Sequence, residues 1–283
     1  MDITVTTQFC GVIGNPVEHS LSPAIHNAAF QKLGLDYVYL AWKVEAIADA
    51  VKGLRALGNF RGASVTIPHK VAVLPFLDDV EVTARHIGAI NTIVAQNGRL
   101  FGTNTDATGA LRALKDANAP LNDEAVVILG SGGAARAISF ALAGEGIRRM
   151  HLLGIDDEER RGLASDLMQK TAVHVADTCL DEHALKTALA DARVLIHCTP
   201  IGMSPGTGRT CVPSKLLHPG LTIMDIVYNP RTTQLLADAK AAGCRTISGL
   251  EMFLHQAAAQ FEQWTGKAAP MQVMRTVLES RLG

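Results

Sequence analysis

Several short stretches gather groups able to hold and protonate a small oxygen-rich molecule. They are HSLSP, with Ser20 and Ser22; SVTIPHK, with Ser64, Thr66 and Lys70; AINT, with Asn91; and GTNTDATG, with Asn104 and Asp106. Each adjoins an apolar run that reads as a strand, and strand ends converge on one edge of an α/β layer, where ligands bind. Hydroxyls, an amide, a carboxylate and an ammonium together suit a small polyol acid. Taken singly, each has a plainer use: Ser22 as a helix cap, Asp106 as a turn residue, Lys70 as a solvated surface charge. Their recurrence at consecutive strand ends points to a common ligand.

A second stretch carries different chemistry. AVVILGSGGAARAI joins a buried strand to a helix, with Gly130, Gly132 and Gly133 in the turn. Backbone without side chains can approach a diphosphate, and the helix N-terminus presents free N–H groups to it. The third glycine usual in such turns is absent; Ala134, Ala135 and Ala137 fill that region and still permit close helix–sheet packing. Arg136, on the first helical turn, either reaches phosphate or is a solvated surface charge. The next strand ends in LLGIDDEERR, which places Asp156 where an acid would meet the adenosine ribose. A carboxylate accepts hydrogen bonds from ribose hydroxyls and repels a 2′-phosphate. No Arg or Lys stands at 154–156, and the nearest are Arg160 and Arg161. This favours NAD over NADP; the plainer alternative is that Asp156 and Asp157 only cap the next helix.

The elements that must carry these groups fall into two halves. In the first, strands are expected at residues 9–14, 37–42, 62–67, 89–95 and 99–103, the last two around the hairpin signal Asn97-Gly98. Helices are expected at 22–33, opened by Pro23, and at 45–57. This half is α/β with mixed strand directions. The polar stretch 116–124 marks the boundary. Beyond it, strands at 125–129, 150–153, 173–176, 194–198, 222–226 and 245–247 alternate with helices, the rhythm of a doubly wound parallel sheet. Helices at 251–264 and 271–282 follow.

Composition narrows the partner. The chain has 283 residues, enough for about two domains, and 48% hydrophobic against 19% charged residues excludes a disordered chain. With 26 Lys+Arg against 27 Asp+Glu the net charge is −1, so no large basic field is offered to nucleic acid or membrane. Aromatic residues make up 5%, which argues against stacking on single-stranded nucleic acid. Cys10, Cys179, Cys198, Cys211 and Cys244 are scattered without a CxxC pair, which predicts neither a disulfide framework nor a cysteine zinc site and suits a reducing cytoplasm. The opening MDITVTTQFC lacks the basic and apolar regions of a secretory leader. No HExxH or Cys/His ligand spacing is present, so no metal is expected.

The chain resembles the shikimate/quinate dehydrogenase family along nearly its whole length. The matching pieces, in order, are GNPVEHSLSPAIHN, SVTIPHK, IGAINT, TNTDATG, GSGGAAR, TPIGM, DIVYNP and GLEMFLHQAAAQF. The resemblance implies an N-terminal substrate-binding domain (1–116, with helices 251–283 packing back on it), a Rossmann-type NAD(P)-binding domain (117–250), and an active-site cleft between them. It implies Lys70 as the catalytic lysine and Asp106 as its paired carboxylate. Ser20, Ser22, Thr66, Asn91 and Gln256 match substrate-binding positions, Tyr228 a tyrosine beside substrate and nicotinamide, and Tyr39 a tyrosine that helps bind substrate in some members. Gly130, Gly132, Gly133 and Ala134 match the diphosphate turn, and Ile226 and Gly249 match positions near the nicotinamide.

The implied reaction is reversible hydride transfer between shikimate and 3-dehydroshikimate with NAD, favoured, or NADP, in a cytoplasmic monomer or homodimer. Lys70 and Asp106 would handle the hydroxyl proton; His69, beside Lys70, is expected to point elsewhere. NADP-dependent members carry Asn-Arg-Thr where this chain has Gly154-Ile155-Asp156, so the arginine that clamps the 2′-phosphate is missing. His197 replaces a usual asparagine and Glu251 a frequent glycine. The alternatives left open are a quinate- or aminoshikimate-preferring enzyme, another small-acid oxidoreductase on the same fold, and a non-catalytic dinucleotide sensor.

Overall fold

The computed structural model describes residues 3–121 and 125–282; of the boundary stretch 116–124, residues 122–124 lie outside the described residues. The chain divides into two compact units, residues 1–108 with 254–283, and residues 109–253.

The first unit opens with β1 (Gln8–Gly14), α1 (Ser22–Lys32), β2 (Tyr37–Lys43), α2 (Ile47–Arg55), β3 (Phe60–Val65) and the single turn α3 (His69–Ala72). It continues with β4 (Asp79–Val80), α4 (Val82–Ile87), β5 (Thr92–Gln96), β6 (Arg99–Thr103) and the start of α5 (Thr105–Asp116). The strands form one sheet in the order β2-β1-β3-β5-β6-β4. β1 runs parallel to β2 and β3, while β5 is antiparallel to both β3 and β6. The β5–β6 hairpin turns at Asn97 (φ 52°) and Gly98 (φ 75°), the two left-handed residues that a tight right-twisted hairpin requires. The core joins Ile13, Ala63, Val65, Ile93 and Leu100 across the sheet.

The second unit holds β7 (Ala125–Leu129), α6 (Gly133–Gly144), β8 (Arg149–Gly154), α7 (Asp157–Lys170), β9 (His174–Cys179) and α8 (Glu182–Leu189). It goes on with β10 (Ala192–His197), β11 (Thr222–Asp225), α9 (Gln234–Ala241), β12 (Arg245–Ser248) and the start of α10 (Gly249–Thr265). All its strands are parallel, in the order β12-β11-β10-β7-β8-β9. Every residue of β7 is fully buried, which is why AVVIL is unbroken by polar residues.

The remainder of α10, with α11 (Met271–Leu282), belongs to the first unit, where α11 lies against α1. The division thus falls inside α5, after Thr108, and not in the polar stretch 116–124. Polarity marks where α5 ends; the packing partners of its residues change two turns earlier. Trp264 of α10 anchors the first unit's sheet, its indole N–H donating to the Ile93 carbonyl at 2.9 Å. A Cβ on Gly62 would lie 2.2 Å from both that carbonyl oxygen and the indole nitrogen. Gly62→Ala is therefore expected to cost about 2–3 kcal/mol of stability, seen as a lower midpoint in urea unfolding. Among the described residues no helix is long and apolar enough to cross a membrane.

Candidate active site

In the first unit β3 is stopped by Pro68, and the following turn, α3, carries Lys70. The Lys70 carbonyl accepts the Ile90 N–H at 2.7 Å, which ties this turn to the loop that carries Asn91. The Lys70 ammonium donates to Asp106 Oδ2 at 2.6 Å. Asn91 Nδ2 donates to the other carboxylate oxygen at 2.8 Å and to Thr105 Oγ1 at 3.0 Å. Asn91 Oδ1 accepts the Thr105 N–H at 2.7 Å. Asn104 Oδ1 accepts the Asp106 N–H at 3.1 Å, just where α5 begins. Both oxygens of Asp106 are therefore held and its backbone is fixed. An ammonium has three N–H donors, and Asp106 is the one hydrogen-bond partner of Lys70 Nζ among the described residues. The side chain keeps 22% of its surface exposed, which leaves donors for a ligand.

The hydroxyls converge through a buried chain. Tyr39 is 1% exposed, and its hydroxyl lies 2.6 Å from Ser64 Oγ and also faces Ser22; burial pushes this phenol well up from its ordinary pKa. Ser64 Oγ donates to Gln260 Oε1 at 2.8 Å, and Gln260 Nε2 donates to Thr92 Oγ1 at 2.9 Å and the Asn91 carbonyl at 3.2 Å. Ser22 is buried in the first turn of α1, which has no side-chain cap, so the helix-cap reading of Ser22 does not hold. Ser20 Oγ accepts the Ser22 N–H at 3.3 Å. Thr66 is half-buried at the end of β3, against Gly14. His69 is turned away from this cluster, its Nε2 2.7 Å from the Val44 carbonyl. Gln256, 9% exposed, precedes Gln260 by one turn of α10 and shares its face.

In the second unit the glycine turn links β7 to α6. Gly130, at φ +101°, is wedged against the Cys198 carbonyl and Thr199. A Cβ on Gly132 or Gly133 would meet nothing within 4 Å, and α6 has no side-chain cap. An uncapped helix N-terminus beside open space fits the diphosphate of a dinucleotide. Ile226 and Gly249 are in direct contact: a Cβ on Gly249 would sit 2.3 Å from the Ile226 carbonyl oxygen. Tyr228 is half-buried against Phe253, ring centroids 4.7 Å apart, and burial raises its phenol pKa.

Comparison with known proteins gives the family of the chain. A family model described as the shikimate dehydrogenase substrate binding domain matches residues 12–93, and one described as the shikimate 5'-dehydrogenase C-terminal domain matches residues 249–279. The shikimate dehydrogenase (NADP(+)) of Desulforamulus reducens is 42% identical, covering 98% of this chain and 96% of its own. The chain belongs to the shikimate dehydrogenase family. Members of this family are oxidoreductases. The shikimate 5-dehydrogenase of Listeria monocytogenes, solved with shikimate and NAD, superposes with a TM-score of 0.93 at 38% identity over 98% of each chain. The quinate dehydrogenase of Corynebacterium glutamicum, solved with NAD, gives 0.90 at 30% identity over 97% of this chain and 99% of its own.

The end of β8 and the start of α7 carry a cluster of charged residues. Asp156 caps α7, its Oδ1 accepting the Glu159 N–H at 2.9 Å, and its other oxygen has no hydrogen-bond partner among the described residues. Arg160 is 4% exposed and held by Asp157 at 2.6 Å, Asp177 at 3.2 Å and the Gly154 carbonyl at 3.1 Å. Its guanidinium keeps the Asp157 carboxyl below its usual pKa. Arg136 is engaged by Asp166 and lies over the Phe140 ring, so it serves the α6–α7 contact. Ile155 is 83% exposed. The first turn of α7 carries Asp157, Glu158 and Glu159, and Glu159 accepts a hydrogen bond from Ser131 of the glycine turn at 3.3 Å.

His197, at the end of β10, is buried between Asp225 (Nδ1 to Oδ1 2.9 Å) and Thr199 (Nε2 to Oγ1 2.5 Å). Glu251 lies in the first turn of α10. Gln260 and Asp225 are supporting residues that the sequence alone does not single out. Gln260 was foreshadowed by two glutamines four apart in the otherwise apolar HQAAAQF. Asp225 had no local signal, because its partners lie on other segments.

Proposed function

We propose that this protein catalyses the reversible oxidation of shikimate to 3-dehydroshikimate with NAD or NADP, with a lean towards NAD and some activity on quinate. The first unit would bind substrate and the second the dinucleotide. The observation that carries the reading is the Lys70–Asp106 pair, clamped by Asn91, to which Ser64 and Thr92 are linked through Gln260.

The dinucleotide, when bound, supplies the hydride chemistry. Gly130, Gly132, Gly133 and Ala134 would hold its diphosphate, Asp156 its ribose, and Ile226 and Gly249 its nicotinamide end. The chain's own residues handle the rest. Ser20, Ser22, Thr66, Asn91 and Gln256 would orient the ring hydroxyls and the carboxylate, with Tyr39 bonded to Ser64, and Tyr228 would serve the nicotinamide end in the second unit. As a hydroxyl becomes a ketone its proton must leave, and Lys70 in its neutral amine form, beside Asp106, would take it. In the reverse direction the Lys70 ammonium would stabilise the developing oxyanion and donate the proton.

The lean towards NAD rests on charge. Asp156 to Glu159 form an acidic patch, and Arg160 is committed to Asp157 and Asp177. A 2′-phosphate would meet repulsion there. Because Asp156 also caps α7, Asp156→Asn is the informative change: it keeps the cap and removes the charge. It is expected to shift the ratio of kcat/KM for NAD over NADP towards NADP by about fivefold to tenfold, with stability nearly unchanged. Steady-state rates on shikimate and quinate, each with NAD and NADP, test the whole reading. Absence of turnover in all combinations would leave a non-catalytic dinucleotide sensor. The free cysteines suit a cytoplasmic setting.

A further inference from the structure

The ring of His197 is clamped at both nitrogens. Nδ1 lies 2.9 Å from Asp225 Oδ1, and Nε2 lies 2.5 Å from Thr199 Oγ1. Thr199 Oγ1 also accepts the Ile201 N–H at 3.2 Å. A hydroxyl oxygen has two lone pairs and one hydrogen. When the ring is an imidazolium, Nε2–H takes one lone pair and Ile201 the other, so the Thr199 hydrogen must point elsewhere. When the ring is neutral, with its hydrogen on Nδ1 towards the carboxylate, Nε2 becomes an acceptor and draws in the Thr199 hydrogen. The protonation state of His197 therefore decides whether Thr199 has a proton to offer outward.

Thr199 stands beside the glycine turn. A Cβ on Gly130 would lie 3.1 Å from Thr199 Cγ2 and 3.0 Å from the Cys198 carbonyl oxygen. The titratable groups facing the ring are Asp225 from β11, Cys211 from the segment between β10 and β11, and Cys198 beside it in sequence. Burial works to lower the pKa of His197, but the Asp225 carboxylate, with Cys211, outweighs it and raises the pKa to about 9. Burial and the Asp225 charge push the Cys198 thiol up, so it stays neutral. Asp225 is itself anchored by Thr233 Oγ1 at 2.6 Å and the Val227 N–H at 3.0 Å.

We propose that His197 is a positioning residue for the coenzyme: its imidazolium keeps the Thr199 oxygen a double acceptor and so aims the Thr199 hydrogen at a diphosphate oxygen of a dinucleotide held by the glycine turn. The inference rests on the reading of that turn as the dinucleotide site.

Calorimetric titration of the 283-residue protein with NAD and with NADP, from about pH 7 to pH 10, tests it. Thr199→Val should raise the dinucleotide Kd about tenfold, while Thr199→Ser should stay close to wild type. Wild-type affinity should fall as the pH rises through about 9, and Thr199→Val should lack that step. His197→Gln should weaken binding in the wild-type background and add nothing in the Thr199→Val background. A Thr199→Val protein with wild-type Kd, or independent additive effects of the two substitutions, overturns the role of His197. The Thr199 variants leave the His197–Asp225 pair intact, so the result does not depend on the His197→Gln protein folding. A wild-type protein that binds neither dinucleotide overturns the underlying site reading instead.

Discussion

Lys70→Ala is expected to lower kcat by about 10²- to 10⁴-fold while dinucleotide affinity stays within about twofold of wild type. On the proposed reading the ammonium would exchange a proton with a substrate oxygen, and Asp106 holds it at 2.6 Å. His69 cannot substitute, because its Nε2 is occupied by the Val44 carbonyl. Lys70→Arg should fail nearly as badly in the oxidising direction, since a guanidinium keeps the charge but does not give up its proton in this pH range. Stopped-flow single turnovers alongside equilibrium binding separate the two quantities. Near-normal turnover of Lys70→Ala would remove Lys70 from the reaction.

Asp225→Ala is expected to lower the unfolding free energy by about 3–5 kcal/mol, because it leaves the buried His197 without its counter-charge. Both partners are almost wholly shielded from water, with side-chain exposures of 2% and 0%. The pH dependence follows from the direction of the shift. The folded-state pKa of His197 lies above its unfolded value of about 6.5. The pair's contribution is thus complete below about pH 6.5 and is lost as the pH rises through about 9. Wild-type stability in urea should decline over that alkaline interval, and Asp225→Asn should flatten the decline. An identical pH profile in the variant would show that His197 does not titrate as the structure implies.

The fold was legible where its elements were long or fully buried. AVVIL is the unbroken apolar run expected of a strand covered on both faces, and Asn97-Gly98 is a strong hairpin signal; the structure has both. The segment after Pro68 was not read: α3, β4 and α4 run from two to six residues, too short to show a period. Among site residues, Lys70, Asn91 and Asp106 were visible because polar types recurred at strand ends, and the structure brings these three together. Asp156 has the capping role that its position in front of an acidic helix suggested, with an oxygen to spare. Arg136 is diverted to Asp166, thirty residues away, a pairing that no local pattern announces. The support of Asn91 by Gln260 spans 169 residues and becomes visible only once α10 is docked.

That long reach bears on how the protein is made. On the ribosome, the strands that carry Ser64 and Ile93 emerge long before Gln260 and Trp264, the residues that satisfy their hydroxyl and carbonyl. The intervening stretch, residues 109–253, forms a compact unit of its own. Its parallel sheet lies wholly within that stretch, whereas the polar groups around Asn91 must wait for the helical segment that follows. Vectorial translation therefore places the compact unit 109–253 ahead of the surroundings of Lys70, which are completed last.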